Sequence, residues 1–209
     1  MPLTSKATLV LDQYEVNEEN RLHFYGKGEE IPLLPQGLWQ VYQGLVQLNT
    51  FCDNGEDLLL GWAGPSMVFG QWLTFLPSYQ AKAISNVYLK WFALREIEAD
   101  SSLSQAILPQ LVRRQRQTEA LLAIIGQRRV EDRLCHLLLL LKQEMGQPVA
   151  GGTRLSVRLT HQNIANTIAT TRVTVTRLFS KLQHQGWIKF DADHHIILKD
   201  EHFDSVSNG

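Results

Sequence analysis

The stretch that most limits how this 209-residue chain can fold is LTHQNIANTIATTRVTVTRLFSKLQHQGW, which runs from Leu159 to Trp187. Thr160 can cap a helix, and Ile164, Ala165 and Ile168 form its inner stripe. Ala169-Thr170 reads as a tight turn. Thr171 caps a second helix that ends near Gln185, with Gly186 as terminator. Small Ala165 lets the two helices approach closely, which is the pattern of a helix-turn-helix. At ~100° per residue, Val175, Leu178 and Leu182 fall within about 60° of one another, while Arg172, Val173, Thr176 and Arg177 occupy the opposite side. Arginine can donate two bonds to guanine, and valine or a threonine methyl suits the thymine methyl, so this outer side is suited to a DNA major groove. Thr160, Gln162, Thr171 and Thr174 are placed to donate to phosphates at the helix starts. An ordinary amphipathic helix with solvated arginines is the plainer alternative.

The flanks extend the pattern. Trp187 to Phe190 and His195 to Lys199, joined by Asp191-Ala192-Asp193-His194, read as a hairpin, giving a winged helix-turn-helix. Lys189, His194 and Lys199 are further candidates for phosphate contact. His194-His195 is not expected to bind metal, because neighbours on a strand point to opposite faces.

Upstream the texture differs. Residues 21–98 alternate short apolar runs with Gly, Pro and Asn-Gly punctuation, the pattern of a small barrel or sandwich. Val41–Leu48 and Leu58–Leu60 read as a hairpin closed by Asp53-Asn54-Gly55. A second strand pair is expected at 81–87 and 89–94. From Leu103 to Ile125 the period becomes helical, with Ser101-Ser102 as cap and Pro109 as an internal blemish. Ile107, Leu111, Leu121, Leu122 and Ile125, with Arg114 and Thr118 between them, predict a dimerisation seam. An intramolecular packing helix is the alternative. Gly126 marks a junction, and Val130, Leu134, Leu137, Leu138 and Leu141 stripe the next helix. Gly146–Gly152 reads as a loop, and residues 204–209 as a frayed end.

The domain reading is therefore a β-barrel sensor at 1–100, a dimerisation helix at 101–126 and a DNA-binding domain at 127–209, an α+β chain. Charge follows this division. The net charge is −1, but residues 1–100 hold six basic and twelve acidic side chains, and the remainder fourteen and nine. Such asymmetry fits an acidic module joined to a nucleic-acid binder. Cys52 and Cys135 form no CxxC pair, which argues against a cysteine-based zinc or iron–sulfur site and fits a reduced cytoplasmic protein. No secretory leader or membrane-length apolar run is read. A cupin-like metal enzyme would need clustered His and Glu in the β region, where His23 is the one histidine, so no enzyme activity is expected.

In this order, barrel, long helix and winged helix-turn-helix resemble the CRP/FNR superfamily of transcription regulators. The marks are Gly26-Lys27-Gly28-Glu29, Val68-Phe69-Gly70, Gln117-Thr118-Glu119 and the segment 160–188. Thr171–Leu178 is most similar to the recognition helix of that family's cyanobacterial nitrogen-regulator branch. The resemblance implies a jelly-roll barrel of the cyclic-nucleotide-binding kind. It also implies a homodimer on a palindromic duplex with half-sites ~34 Å apart, a GTA…TAC-like site, and RNA polymerase as partner of an activator. Arg172 would read guanine, Val173 would stand where cyclic-AMP-type members often have Glu, and Arg177 would touch base or phosphate.

The resemblance also implies an effector pocket around Phe69, Gly70, Gln71, Trp72, Arg114 and Thr118. Here the sequence departs from cyclic-nucleotide members. Gly70-Gln71-Trp72 replaces Gly-Glu-Leu, and Tyr79-Gln80-Ala81 replaces the phosphate-gripping Arg-Ser/Thr-Ala. A buried phosphate would lack its counter-charge, so cyclic AMP is not expected. A 2-oxo acid would want a barrel arginine beside Arg114, and Lys82 does not align with that place. No cofactor is expected. Another small ligand, a ligand-free regulator controlled by its abundance, or a protein partner remain the options, and a small-molecule-sensing barrel module with little DNA readout is the alternative function.

Overall fold

The computed structural model describes residues 22–51 and 57–203. The Asp53-Asn54-Gly55 turn, Cys52, the N-terminal 21 residues and the C-terminal six lie outside them. Eight strands build the N-terminal part: β1 Leu22–Tyr25, β2 Glu30–Ile31, β3 Gly37–Gln43, β4 Val46–Phe51, β5 Asp57–Ala63, β6 Val68–Phe69, β7 Gln80–Ala83 and β8 Val87–Ala93. They form two four-stranded antiparallel sheets, ordered β1-β8-β3-β6 and β2-β7-β4-β5. The expected barrel is thus open: among the described residues no strand pair joins the two sheets. Trp39 fills the space between them. It is fully buried, gives its indole proton to the Pro32 carbonyl at 2.8 Å and meets Trp91 edge-on at 5.0 Å.

Two strand expectations need correction. The run 41–48 is not one strand. Gly44, at φ +93°, turns the chain between β3 and β4, which belong to opposite sheets. The segments 81–87 and 89–94 do form strands, but β7 and β8 also lie in opposite sheets. Alternation of apolar residues gives a strand its buried face and does not name its neighbour.

Helix α1 (Leu94–Ala99) leads to α2 (Ser101–Ile125), whose cap is Asp100 rather than either serine. The Asp100 carboxylate accepts from the N–H groups of Ser102 (2.8 Å) and Leu103 (3.2 Å). The Ser102 hydroxyl, which donates to the same carboxylate at 2.6 Å, and then those two bonds hold its carboxyl below the usual aspartate range. Pro109 sits inside α2 without ending it. It and Gln105, whose carbonyl loses its helical partner, are both exposed, so water can satisfy that group.

The face that α2 turns outward differs from the expected seam. Ile107 is buried on Leu38 and Val68, and Leu121 is buried in the core shared with the next domain. Arg114 folds onto its own subunit, reaching Gln117 Oε1 at 3.2 Å, and Leu111 is half-buried. Leu122 (71% exposed), Ile125 and Thr118 do face outward, joined by Leu108 and Val112. Leu108, Val112, Gln115, Glu119 and Leu122 follow a 4-3-4-3 spacing, the period of a coiled-coil seam set one residue away from the expected one.

Helix α3 (Val130–Met145) buries Leu134, Leu137, Leu138 and Leu141. The segment read as a loop at 146–152 is a hairpin instead: β9 Gly146–Val149 pairs with β10 Gly152–Leu155. It extends the wing strands β11 Ile188–Phe190 and β12 Ile196–Leu198 into a four-stranded sheet ordered β11-β12-β10-β9. Between them come α4 (His161–Thr167) and α5 (Arg172–His184), and α6 (Asp200–Phe203) closes the described chain. No helix of the described residues is long and apolar enough to cross a membrane.

Candidate nucleic-acid interface

Caps, a turn and a clamp set the angle between α4 and α5. Thr160 Oγ1 accepts from the Asn163 N–H at 3.1 Å, and Thr171 Oγ1 from the Thr174 N–H at 3.2 Å. In the turn, Ala169 adopts φ +50° and the Thr170 N–H bonds the Ala165 carbonyl at 3.0 Å. Arg133, from α3, then locks the turn: Nη1 donates to the Ile168 carbonyl (3.0 Å) while Nε donates to the Gln127 carbonyl (2.8 Å). One guanidinium thus joins the α2–α3 junction to the turn. Beneath α5, Val175, Leu178, Phe179 and Leu182 pack with Ile164, Ala165 and Ile168.

The side opposite that packing is open. Arg172, Val173, Thr176 and Arg177 are all exposed, Val173 at 78%. The helical-wheel reading placed these four correctly because the hydrophobic stripe underneath admits only one rotation of α5.

The expected phosphate donors are partly committed elsewhere. The Thr160 hydroxyl donates to Asn163 Oδ1, Gln162 Nε2 donates to Asn166 Oδ1 at 2.6 Å, and the Thr171 and Thr174 hydroxyls bond each other at 3.0 Å. Backbone N–H groups at the two helix starts remain for an anion. Lys189 is exposed on β11, and His194, at φ +60°, is exposed in the wing turn.

Arg154 fixes that turn from β10. Its Nε donates to Asp191 Oδ2 at 2.6 Å and its Nη2 lies 2.7 Å from His195 Nδ1. The Arg154 bond, aided by the His195 N–H, holds the Asp191 carboxyl at about 2. Ligand atoms of Asp191, Asp193 and His195 lie within 4.8 Å of one another, a grouping that adjacent histidines did not suggest. Arg154 already bonds two of the three, which makes the cluster a turn lock. Arg133, Arg154, Arg158 and His161 were absent from the sequence-derived site. Only contacts between distant elements single them out.

Residues 132–202 match the Crp-like helix-turn-helix domain family. The regulatory protein CysR of Synechococcus elongatus is 34% identical over 166 residues, covering 78% of this chain and 77% of that protein. The chain belongs to the CRP/FNR family of transcription regulators. A global nitrogen regulator of Nostoc is 33% identical over 156 residues, 70% of each chain. A CRP-family regulator of Thermus thermophilus shares the fold at a TM-score of 0.74, with 21% identity, covering 90% of this chain and 97% of that one. Members of this family bind DNA and act as dimers.

In this CRP/FNR-family chain the cavity nearest the expected effector pocket holds about 390 Å³. Arg114 and Thr118 line it. Phe69, Gly70, Gln71 and Trp72 do not. Phe69 is fully buried between the sheets, Trp72 is 53% exposed, Gly70 leads into the 3-10 turn 71–73 and Gln71 begins it. The barrel side is formed instead by Leu60, Leu73, Thr74, Leu76 and Tyr79. Burial pushes the Tyr79 phenol up to about 12, against the pull of the Arg114 charge, and burial also lowers the Arg114 guanidinium.

Proposed function

We propose that this CRP/FNR-type regulator acts as a homodimer that reads a palindromic duplex in the major groove. Arg172, Val173, Thr176 and Arg177 would touch base edges, with Lys189 and the starts of α4 and α5 on phosphates. One observation carries this reading: both arginines stand exposed on the side of α5 that its packing leaves open. In the test, purified protein is titrated with labelled palindromes across a salt series. Affinity should fall steeply with salt and favour one sequence. Arg172→Ala should cost about 1–3 kcal/mol and relax discrimination at one base pair. An equal loss on every sequence would reduce Arg172 to a phosphate contact.

The cytoplasm is the proposed compartment, and RNA polymerase the proposed partner where the site lies upstream of an activated promoter. Cyclic AMP is not the proposed effector. Among the described residues that line the cavity, Arg114 is the one guanidinium and Glu119 the one carboxylate, beside Leu60, Leu73, Leu76 and Leu111. One guanidinium balanced by a carboxylate suits a small, largely apolar ligand better than the phosphate of a cyclic nucleotide.

A further inference from the structure

His161 opens α4 and lines a groove of about 590 Å³ between the helix pair and the wing. Its ring lies against Phe179, with centroids 5.0 Å apart, and Nδ1 is 2.9 Å from Thr176 Oγ1. That same hydroxyl donates to the Arg172 carbonyl at 2.9 Å. A hydroxyl has one proton to give, so in its bond with Thr176 the imidazole Nδ1 must be the donor. The neutral ring therefore carries its proton on Nδ1 and leaves Nε2 as an acceptor. Nε2 has no hydrogen-bond partner among the described residues and is not among the buried unpaired atoms, so it is open to solvent. An acceptor repels a phosphate oxygen, whereas a protonated Nε2 donates to it.

The groove suits an anion. Its charged and titratable members are Arg158 before α4, Arg172 on α5 and His194 in the wing turn. Phe190 from the wing is uncharged, as are Thr176 and Phe179, the α5 side chains that touch the His161 ring, and no carboxylate lines the groove among the described residues. Without DNA, burial first and the Arg172 charge second hold His161 below its ordinary 6.5, so the ring is neutral near pH 7.

We propose that His161 is a DNA-phosphate ligand that binds in its doubly protonated form, so that each subunit takes up a proton when it engages the duplex. This rests on the DNA-binding reading above. A phosphate at Nε2 raises the imidazole's proton affinity above that of the free protein. Between the free and bound values affinity falls as pH rises, by up to about tenfold per subunit for each pH unit. Above the bound value it is flat.

The experiment measures binding of the preferred duplex at fixed ionic strength from about pH 5.5 to 8. Wild type should weaken as pH rises. His161→Gln should lose that slope, His161→Arg should bind without it, and His184→Gln, at an exposed position outside the groove, should keep it. A His161→Gln slope equal to wild type overturns the proposal. Should that variant fold poorly, the His161 Cε1–H resonance of wild type gives the same answer: its titration midpoint must rise when duplex is added, and an unchanged midpoint overturns the proposal. Salt-sensitive binding with a slope that ignores His161 sinks this inference alone. Absence of duplex preference in wild type sinks the DNA reading with it.

Discussion

Gly61 shows how much one missing side chain can decide. It lies in β5 at φ +143°, and a Cβ there would meet Gln117 Oε1 at 2.2 Å and Arg114 Nη1 at 2.6 Å. Gln117 Oε1 also accepts the Trp62 N–H at 2.8 Å, so the bare backbone at 61 lets α2 bond the sheet directly. Gly61→Ala should cost about 1–3 kcal/mol in backbone strain, with the clash added. Gly64→Ala, whose Cβ would meet only Leu45 Cδ1 at 3.6 Å, should change little. Thermal melts of the two variants check this, and equal melting points would refute it. The same node holds two buried polar atoms without partners, Trp62 Nε1 and Gln117 Nε2. The glycine is visible in the sequence, but its neighbour Gln117, 55 residues beyond Trp62, is not.

At the scale of elements, α2 divides its leucines between two tasks. Leu121 is 5% exposed and packs inward, whereas its neighbour Leu122 is 71% exposed on the 4-3-4-3 stripe. Leu121→Glu should unfold the subunit by burying an unpaired charge. Leu122→Glu should leave the subunit folded and dissociate the dimer, removing about 1.5–3 kcal/mol of apolar burial per subunit and placing like charges across the seam. Sedimentation and thermal melts separate the two results, and a dimeric Leu122→Glu protein would refute this seam. Heptad arithmetic on the sequence found the helix and its length. Of the residues it assigned to the seam, Ile107 and Leu121 are buried in their own subunit while Thr118, Leu122 and Ile125 are exposed, because two hydrophobic faces run side by side on α2 and counting residues cannot tell which face the sheet will cover.

Across the whole molecule, the two parts share a core. Leu45 from the β3–β4 turn and Trp62 from β5 join Leu121 and Ile124 of α2, the leucines of α3 and Ile164 of α4 in one buried cluster. Trp62 is 2% exposed at this junction. Trp62→Ala should cost about 3–5 kcal/mol and split a single thermal transition into two, seen by calorimetry. One cooperative transition at an unchanged midpoint would refute this coupling. The sequence by itself determined the order of β region, long helix and winged helix-turn-helix, and the outward residues of α5. These are local matters, settled by periodicities of two and 3.6, by caps and by turn residues within reach along the chain. The tertiary structure alone decided which strands are neighbours, which face of α2 stays open, which residues line the cavity beside Arg114, and that Arg133 and Arg154 lock the two turns while His161 lines the groove between the helix pair and the wing. Each of those depends on atoms brought together from distant positions, and pairing energy between remote segments leaves no period in the sequence.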